Sequence, residues 1–226
     1  MRHLLVAALL AGAAAGLVVT AIQSVKVAPL IAAAEALEAQ HPSGEHGHSP
    51  SGFERTAHTL LFNALAGVGF GMLLCAVYNT TAHVNLPTGM LWGVGGFVAF
   101  FLAPALGLPP SLPGTELADL RARQLWWLAT AGSTAAGLLA VALGRRGWQK
   151  GLGALLIVAP HAIGAPQPPA GASSPPSDMT RAFLVWSAIA AAAFWLVLGG
   201  LSGWLFERQA RRAARNDQAR RAARNE

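Results

Sequence analysis

The chain alternates long runs of apolar residues with short polar connections. Six apolar runs stand out, and five of them approach the ~20 residues that a helix needs to cross ~30 Å of hydrocarbon at 1.5 Å per residue. The fifth run is short and carries Pro160, so we expect either a short span or a broken, re-entrant segment there. The pattern predicts an all-α, polytopic membrane bundle of about six transmembrane helices. The runs are Leu4–Ile22, Leu60–Tyr78, Gly89–Leu108, Gln124–Leu143, Leu152–Ile163 and Ala182–Phe206.

Composition supports the membrane class. Of the 226 residues, 54% are hydrophobic and 12% are charged, which is about half the ~25% charge of an ordinary soluble domain. The net charge of +6 does not indicate a nucleic-acid-binding protein, because almost half of the basic residues lie in one short C-terminal tail. The first run follows Arg2 as in a signal peptide, but it exceeds the ~7–15 apolar residues of such peptides, so we interpret it as a retained anchor.

Basic residues near the ends of the runs predict the orientation, because cytoplasmic loops are enriched in Lys and Arg. With six spans and a cytoplasmic N-terminus, 11 basic residues fall inside and 5 fall outside, and the C-terminus is also cytoplasmic. This interpretation divides the chain into a transmembrane bundle over 1–207 and an Arg-rich cytoplasmic tail over 208–226. It leaves outside the membrane a His-rich loop over 38–52 and a Pro-rich linker over 166–177, which cannot hold a helix.

Two repeated features concern anchoring and packing. The tail repeats a nine-residue unit, "QARRAARND" and then "QARRAARNE". Arginine beside an anionic leaflet gains ~1 kcal/mol per residue, so we interpret the tail as a topology anchor, with a partner-binding element as the alternative. Glycines recur at four-residue spacing, which lets helices approach closely, and we expect them to pack the bundle, with homo-oligomerisation as the alternative. The pairs are Gly12/Gly16, Gly67/Gly71, Gly89/Gly93 and Gly199/Gly203.

The external loop concentrates potential metal ligands. Its sequence "EAQHPSGEHGHSP" carries His41, His46 and His48, together with glycines that let the backbone fold toward a common centre. Imidazole suits Co, Ni, Cu and Zn ions, whereas the lack of a local thiolate argues against a tight structural zinc site. The loop is predicted to capture a transition metal. The alternative is a solvated Gly/Ser/Pro segment with incidental histidines.

His161 differs from the loop histidines because it lies at membrane depth, where an ionisable side chain is a functional candidate. It follows Pro160, which lacks a backbone N–H and leaves one helix carbonyl without its donor. Such a break is typical of a segment that lines a transport pathway. A neutral imidazole could offer one nitrogen to a passing cation. The alternative is a histidine that bonds a neighbouring carbonyl near the outer surface.

No pattern in the sequence indicates an enzyme. The stretch "GLSG" around Ser202 matches the serine motif of rhomboid proteases. In those proteases the histidine partner comes from a later span, whereas Ser202 lies in the last run, and a serine without a positioned base is a weak nucleophile. The sequence has no Walker loop, so a partner, an ion gradient or the membrane voltage would have to drive any transport. The single cysteine, Cys75, lies in an apolar run and is expected to serve packing.

Six stretches spread along nearly the whole chain carry a family resemblance. They are "RHLLVAALLAGAAAGLVVTAIQ", "VAPLIAAAE", "GLPPSLPG", "ADLRARQLWWLAT", "PHAIGAPQPP" and "FWLVLGGLSGWLF". In their order and in the polar junctions between them, they resemble the CbtA family, predicted cobalt transporter subunits of bacterial membranes.

The resemblance implies a multi-pass protein of the bacterial inner membrane that takes up Co²⁺ for cobalamin synthesis. It implies a partner, the small single-span protein CbtB with its own histidines, and Co²⁺ as the transported ion rather than a permanently bound cofactor. We expect the cation to enter near Glu35, Asp119 and His161, while the loop histidines belong to a region expected to vary. The candidates carried over by the resemblance are Glu35, Asp119, Gln124, His161 and Gln167.

Two other functions are compatible with the sequence. The chain could be a membrane scaffold that assembles a small partner without transporting anything, because packing glycines are abundant and the apolar runs hold no carboxylate. It could also transport nickel or another divalent ion, since cobalt and nickel favour the same ligands.

Overall fold

A computed structural model describes residues 2–39, 52–81 and 83–222, and these form six continuous helical rods. No β-strand occurs among the described residues, so the all-α prediction is confirmed. The first rod joins α1 to α2 through a π-helical segment, and the third joins α4 to α5 in the same way. The elements are α1 (Arg2–Ile22), a first π segment (Gln23–Val27), α2 (Ala28–Glu38), α3 (Gly52–Tyr78), α4 (Leu86–Phe97), a second π segment (Val98–Leu102), α5 (Ala103–Gly107), α6 (Leu120–Leu143), α7 (Gly147–Ile163) and α8 (Ser177–Ala222).

Five of the rods are long and apolar enough to cross a membrane, which agrees with a multi-pass membrane protein. The remaining rod, α7, has 17 residues and is about 25 Å long. It continues through Pro160 without a break, because this proline lies in the last turn and removes a single hydrogen bond. Of the two alternatives for the fifth apolar run, the structure therefore has the short unbroken helix.

Each π segment stands in front of an Ala-Pro pair. A proline ring clashes with the carbonyl four residues earlier and provides no N–H for it, so the α-helical pattern cannot continue unchanged into Pro29 or Pro104. In both rods the preceding alanine instead donates to the carbonyl five residues back, from Ala28 to Gln23 and from Ala103 to Val98. The local widening lets each rod pass a proline without ending.

The chain divides into two compact units. Unit 1 comprises the described residues within 1–20, 52–94 and 193–226. Unit 2 comprises those within 21–51 and 95–192. The predicted boundary between a bundle and a tail at 207/208 coincides with no break in secondary structure, because α8 runs on from Ser177 to Ala222.

Unit 1 is held by direct contact between helix backbones. A Cβ atom added to Gly67 would overlap the Gly12 carbonyl, and one added to Gly89 would overlap the Gly199 carbonyl. A Cβ on Gly16 would lie 2.7 Å from the Ala64 backbone nitrogen and would also overlap, whereas one on Gly71 would lie 3.1 Å from the Ala8 carbonyl oxygen, which is a tight contact. The interpretation of the recurring glycines as packing residues is confirmed.

The buried polar groups of unit 1 have partners. Thr20 donates to the Gly16 carbonyl over 2.7 Å and accepts from Asn63 Nδ2 over 2.9 Å. Ser202 lies 3.0 Å from the Tyr78 hydroxyl and donates to the Gly199 carbonyl. Ser202 therefore contributes to helix packing through hydrogen bonds.

Candidate functional site

All of the candidate site residues that the structure describes lie in unit 2. An apolar cluster holds this part of the unit together: the buried residues Val27, Ala34, Leu112 and Phe183 pack with partly buried neighbours that include Trp186. The cluster fixes α2, the loop after α5 and the start of α8 against one another.

The Pro-rich linker before α8 is irregular, as predicted, and is fixed at one point. Glu116 donates its backbone N–H to the Ser173 carbonyl over 3.0 Å, and the Ser173 N–H approaches Glu116 Oε2 at 3.4 Å. The loop before α6 and the loop before α8, which are far apart in sequence, are thereby paired.

His161 lies in the last turn of α7 and is half-buried. Its ring packs edge-to-face against Trp126 of α6, with centroids 6.0 Å apart. The helix ends directly after it, where Gly164 adopts a φ of +89° and donates to the Pro160 carbonyl. A residue with a Cβ would be strained at that φ, so Gly164 contributes to the position of His161.

The two helices that carry Trp126 and His161 are joined by a three-residue loop and pack as an antiparallel pair. A Cβ on Gly137 would lie 2.5 Å from the Gly153 carbonyl oxygen, and one on Gly153 would lie 2.6 Å from the Gly137 carbonyl oxygen. This crossing fixes the register of α6 against α7.

Asp119 has a structural role that explains its position. It is the N-cap of α6, and its Oδ2 accepts from the Ala122 N–H over 2.9 Å. Aspartate is among the preferred N-caps because it satisfies one of the free N–H groups of the first turn and stabilises the positive end of the helix. Its carboxylate is exposed and can therefore meet an ion from solution.

The remaining candidates are Glu35, Gln167 and Gln124. Glu35 is half-buried near the end of α2, next to the apolar cluster, and Gln167 is exposed and donates to the Ala165 carbonyl. Gln124 lines an open cleft of about 590 Å³ beside the start of α6, whose other polar lining includes Arg123 and Ser111.

The described residues contain no group of three His, Cys, Asp or Glu side chains placed to hold a metal ion. Glu35, Asp119 and His161 share unit 2 without forming such a group. His41, His46 and His48 lie outside the described residues. The predicted metal ligands therefore stay predictions.

Sequence reasoning missed one set of polar residues in this region. Thr130 and Thr134 are fully buried, and their hydroxyl oxygens and the indole nitrogen of Trp126 have no hydrogen-bond partner within the described part of the chain. The sequence contains a signal for them, because Trp126, Thr130 and Thr134 recur every four positions within a run whose other polar residues are Gln124 and Ser133.

Comparison with known families gives a match over almost the entire chain. Residues 1–207 match the model of a family described as "Probable cobalt transporter subunit (CbtA)". The chain belongs to the CbtA family. This membership, together with the long apolar helices, makes it a multi-pass membrane protein and a probable subunit of a cobalt transporter, and a subunit implies a partner. The CbtA match stops just before the Arg-rich tail. No curated protein and no solved structure is significantly similar to the chain.

Proposed function

We propose that this chain is the membrane subunit through which Co²⁺ is taken up across the inner membrane of a bacterium, to supply cobalamin synthesis. The observation that carries the proposal is the CbtA family match over residues 1–207. Its partner is a small single-span membrane subunit with histidines of its own, resembling CbtB. In this proposal six helices cross the membrane and both termini are cytoplasmic, as the distribution of basic residues predicts.

Capture takes place at the outer face. Hydrated Co²⁺ first meets the loop histidines His41, His46 and His48, which raise its local concentration. It then exchanges part of its water for ligands near Glu35, Asp119 and His161. Weak and replaceable ligands suit this task, because an ion that is held by a closed site would not be released.

Two features of unit 2 support this route. The Asp119 carboxylate is exposed at the start of α6. His161 lies in the last turn of the neighbouring antiparallel helix α7, with its ring against that of Trp126. Selectivity over nickel or copper does not come from raw affinity, since the Irving–Williams order ranks cobalt below both.

A non-transporting scaffold is the second candidate function. The specific observation that favours it is the tight backbone packing of unit 1, where a Cβ added to Gly67 or to Gly89 would overlap a neighbouring carbonyl. A rigid helix bundle of that kind could hold a small partner subunit in the membrane.

Liposomes separate the two functions. The purified chain is reconstituted with and without the candidate partner, and the entry of radioactive Co²⁺ is followed under an imposed membrane potential. We expect Co²⁺ to accumulate when both chains are present. Entry with this chain alone would exclude the scaffold, while entry with the partner alone at the same rate would exclude a transport role for this chain. The same assay with Ni²⁺ in place of Co²⁺ determines which of the two ions is transported.

Variants at His161 connect the residue to transport. We expect H161A to lower Co²⁺ uptake at least tenfold, because a ligand of the route is lost. H161F keeps a ring against Trp126 but has no nitrogen, so it should lose uptake as well if the imidazole contacts the ion. H58A is the matched control, since His58 is exposed on α3 in unit 1. Normal uptake by H161F would show that the ring serves packing alone.

A further inference from the structure

One face of α6 carries a row of buried polar atoms, which we call the polar row: Trp126 Nε1, Thr130 Oγ1 and Thr134 Oγ1. Both threonines are 0% exposed, and none of the three atoms has a hydrogen-bond partner among the described residues. Buried polar side chains in native proteins nearly always have a partner, either protein or ordered water, so three orphans in succession require an explanation.

The spacing places the three residues on the same side of the helix. At ~100° per residue, four positions advance the face by about 40°, so Trp126, Thr130 and Thr134 stay within about 80° of one another. The row is about 12 Å long, because eight residues separate its ends at 1.5 Å each. It therefore forms a continuous polar strip along α6.

The strip faces α7. At one end the Trp126 ring contacts His161, and just beyond the other end Gly137 meets Gly153. Gly137 lies only about 20° from Trp126 around the helix axis, so it shares the face of the polar row. The row therefore runs along α6 between two contact points of an antiparallel helix pair. It begins at His161, where the Trp126 ring also lies against Gly107 at the end of α5.

The neighbouring helix α7 also has a backbone acceptor without its helical donor. Pro160 is buried on α7 between the two contact points, and it has no N–H to offer to the carbonyl of Leu156, four residues earlier. The carbonyl of Leu156 therefore lacks its normal helical donor.

The chemistry of these groups selects the ligand. A buried hydroxyl or indole N–H without a partner destabilises the fold, so three such groups favour uptake of a polar molecule. Trp126 can only donate, which excludes it as a direct ligand of a cation, whereas each threonine hydroxyl both donates and accepts. Water accepts from the indole, exchanges hydrogen bonds with the hydroxyls and can donate to a free carbonyl. Buried waters typically make about three such bonds.

We propose that the polar row binds a line of water molecules between α6 and α7, leading inward from His161. The role of this water rests on the proposed function: a divalent ion that passes His161 retains part of its hydration shell, supplied by the row. The presence of the water does not depend on that function and can be tested separately.

Stability measurements distinguish a hydrated row from a dry one. Valine has the shape of threonine without its hydroxyl. In a dry contact T130V and T134V remove an unsatisfied group and raise the thermal midpoint, whereas in a hydrated contact they remove a partner of the water. We expect each variant to lower Tm in detergent by about 2–4 °C, the equivalent of one hydrogen bond in a chain of this size. T20V gives the reference, since Thr20 is bonded to Asn63 and Gly16. A rise in Tm for both variants would overturn the proposal.

Chemical access provides the second test. In a C75A background, a cysteine at 134 is compared with one at 136, because Ala136 lies two residues away on the exposed side of the helix. Ag⁺ is small, charged and thiol-reactive, so it reaches a thiol through water and not through lipid. We expect T134C to react at least tenfold faster than A136C in membranes. Equal rates would refute a water-filled row.

These tests fail independently of the proposed function. If reconstituted chains do not carry Co²⁺ but T134C reacts with Ag⁺ and both valine variants lower Tm, the water row stands and the transport proposal falls. If transport is normal in T130V and T134V and both variants raise Tm, the row is dry and the transport proposal stands.

Discussion

The buried Tyr78 hydroxyl of unit 1 has two partners, Ser202 and the Gly199 carbonyl, whereas the buried hydroxyls of Thr130 and Thr134 in unit 2 have none among the described residues. Backbone packing does not account for this difference. Glycine contacts bring helices together in both units, at Gly12 and Gly67 in one and at Gly137 and Gly153 in the other.

Helices therefore pack closely in both units, but the units differ in whether these buried hydroxyl groups have hydrogen-bond partners. Unit 2 also contains both π segments and every candidate ligand that the structure describes. π-helical turns and unsatisfied polar groups are frequent at functional sites, where a structure departs from its most stable arrangement. Under the proposed function, the transport chemistry would therefore belong to unit 2, whereas unit 1 is distinguished by its close backbone packing and its bonded hydroxyl groups.

The largest expected effect concerns the support in unit 1. G67A adds a Cβ that would overlap the Gly12 carbonyl, and a backbone atom cannot move aside as a flexible side chain can. We expect a loss of about 3 kcal/mol in the free energy of unfolding, measured by thermal unfolding in detergent.

The matched control lies two residues further along the same helix. A Cβ at Gly69 would meet nothing within 4 Å, so G69A should leave stability unchanged or raise it by up to about 1 kcal/mol through helix propensity. If G67A and G69A behave alike, direct backbone contact does not hold unit 1 together.

A smaller effect is expected from the satisfied hydroxyl of unit 1. Y78F removes the group that bonds Ser202 and the Gly199 carbonyl, both of which are buried. We expect destabilisation by about 1 kcal/mol. In the double variant with S202A the loss should be less than the sum of the two single losses, because they share one bond. Strict additivity would show that the 3.0 Å contact contributes nothing.

Two variants of Asp119 in unit 2, one with an effect on stability no larger than that of Y78F and one with almost none, separate two roles of this residue. D119A removes the N-cap of α6 and should cost about 1 kcal/mol, whereas D119N keeps a good cap and should remain nearly as stable as the parent. Under the proposed function D119N still loses the negative charge that attracts Co²⁺, so its uptake should fall although its Tm does not. Normal uptake by D119N would assign Asp119 to capping alone.

The number and type of the helices could be predicted from the sequence, because a run of about 20 apolar residues has few alternatives to a membrane helix. Helix ends are less evident from the apolar runs. The second apolar run begins at Leu60, whereas α3 begins at Gly52, and the last apolar run ends at Phe206, whereas α8 continues to Ala222. Alanine, arginine and glutamate favour helix as strongly as leucine does, so hydropathy alone does not mark where such a helix stops.

The site was predictable only in part. Pro160 and His161 stood out because polar and helix-breaking residues are rare within apolar runs. The ring contact between His161 and Trp126 depends on how α6 and α7 pack, which is decided by the Gly137–Gly153 crossing rather than by either sequence stretch alone. The same holds for Thr130 and Thr134, since only the packing determines whether a threonine in an apolar run faces lipid or another helix.

The two π segments affect how helical wheels of this sequence should be plotted. Each inserts one residue more than an α-helical turn requires, so everything beyond Ala28 or Ala103 is rotated by roughly 100° relative to an uninterrupted helix. A helical wheel drawn through either point mixes two different faces. The first and third rods are each better plotted as two wheels with separate origins, and only then do their lipid-facing and protein-facing sides become distinct.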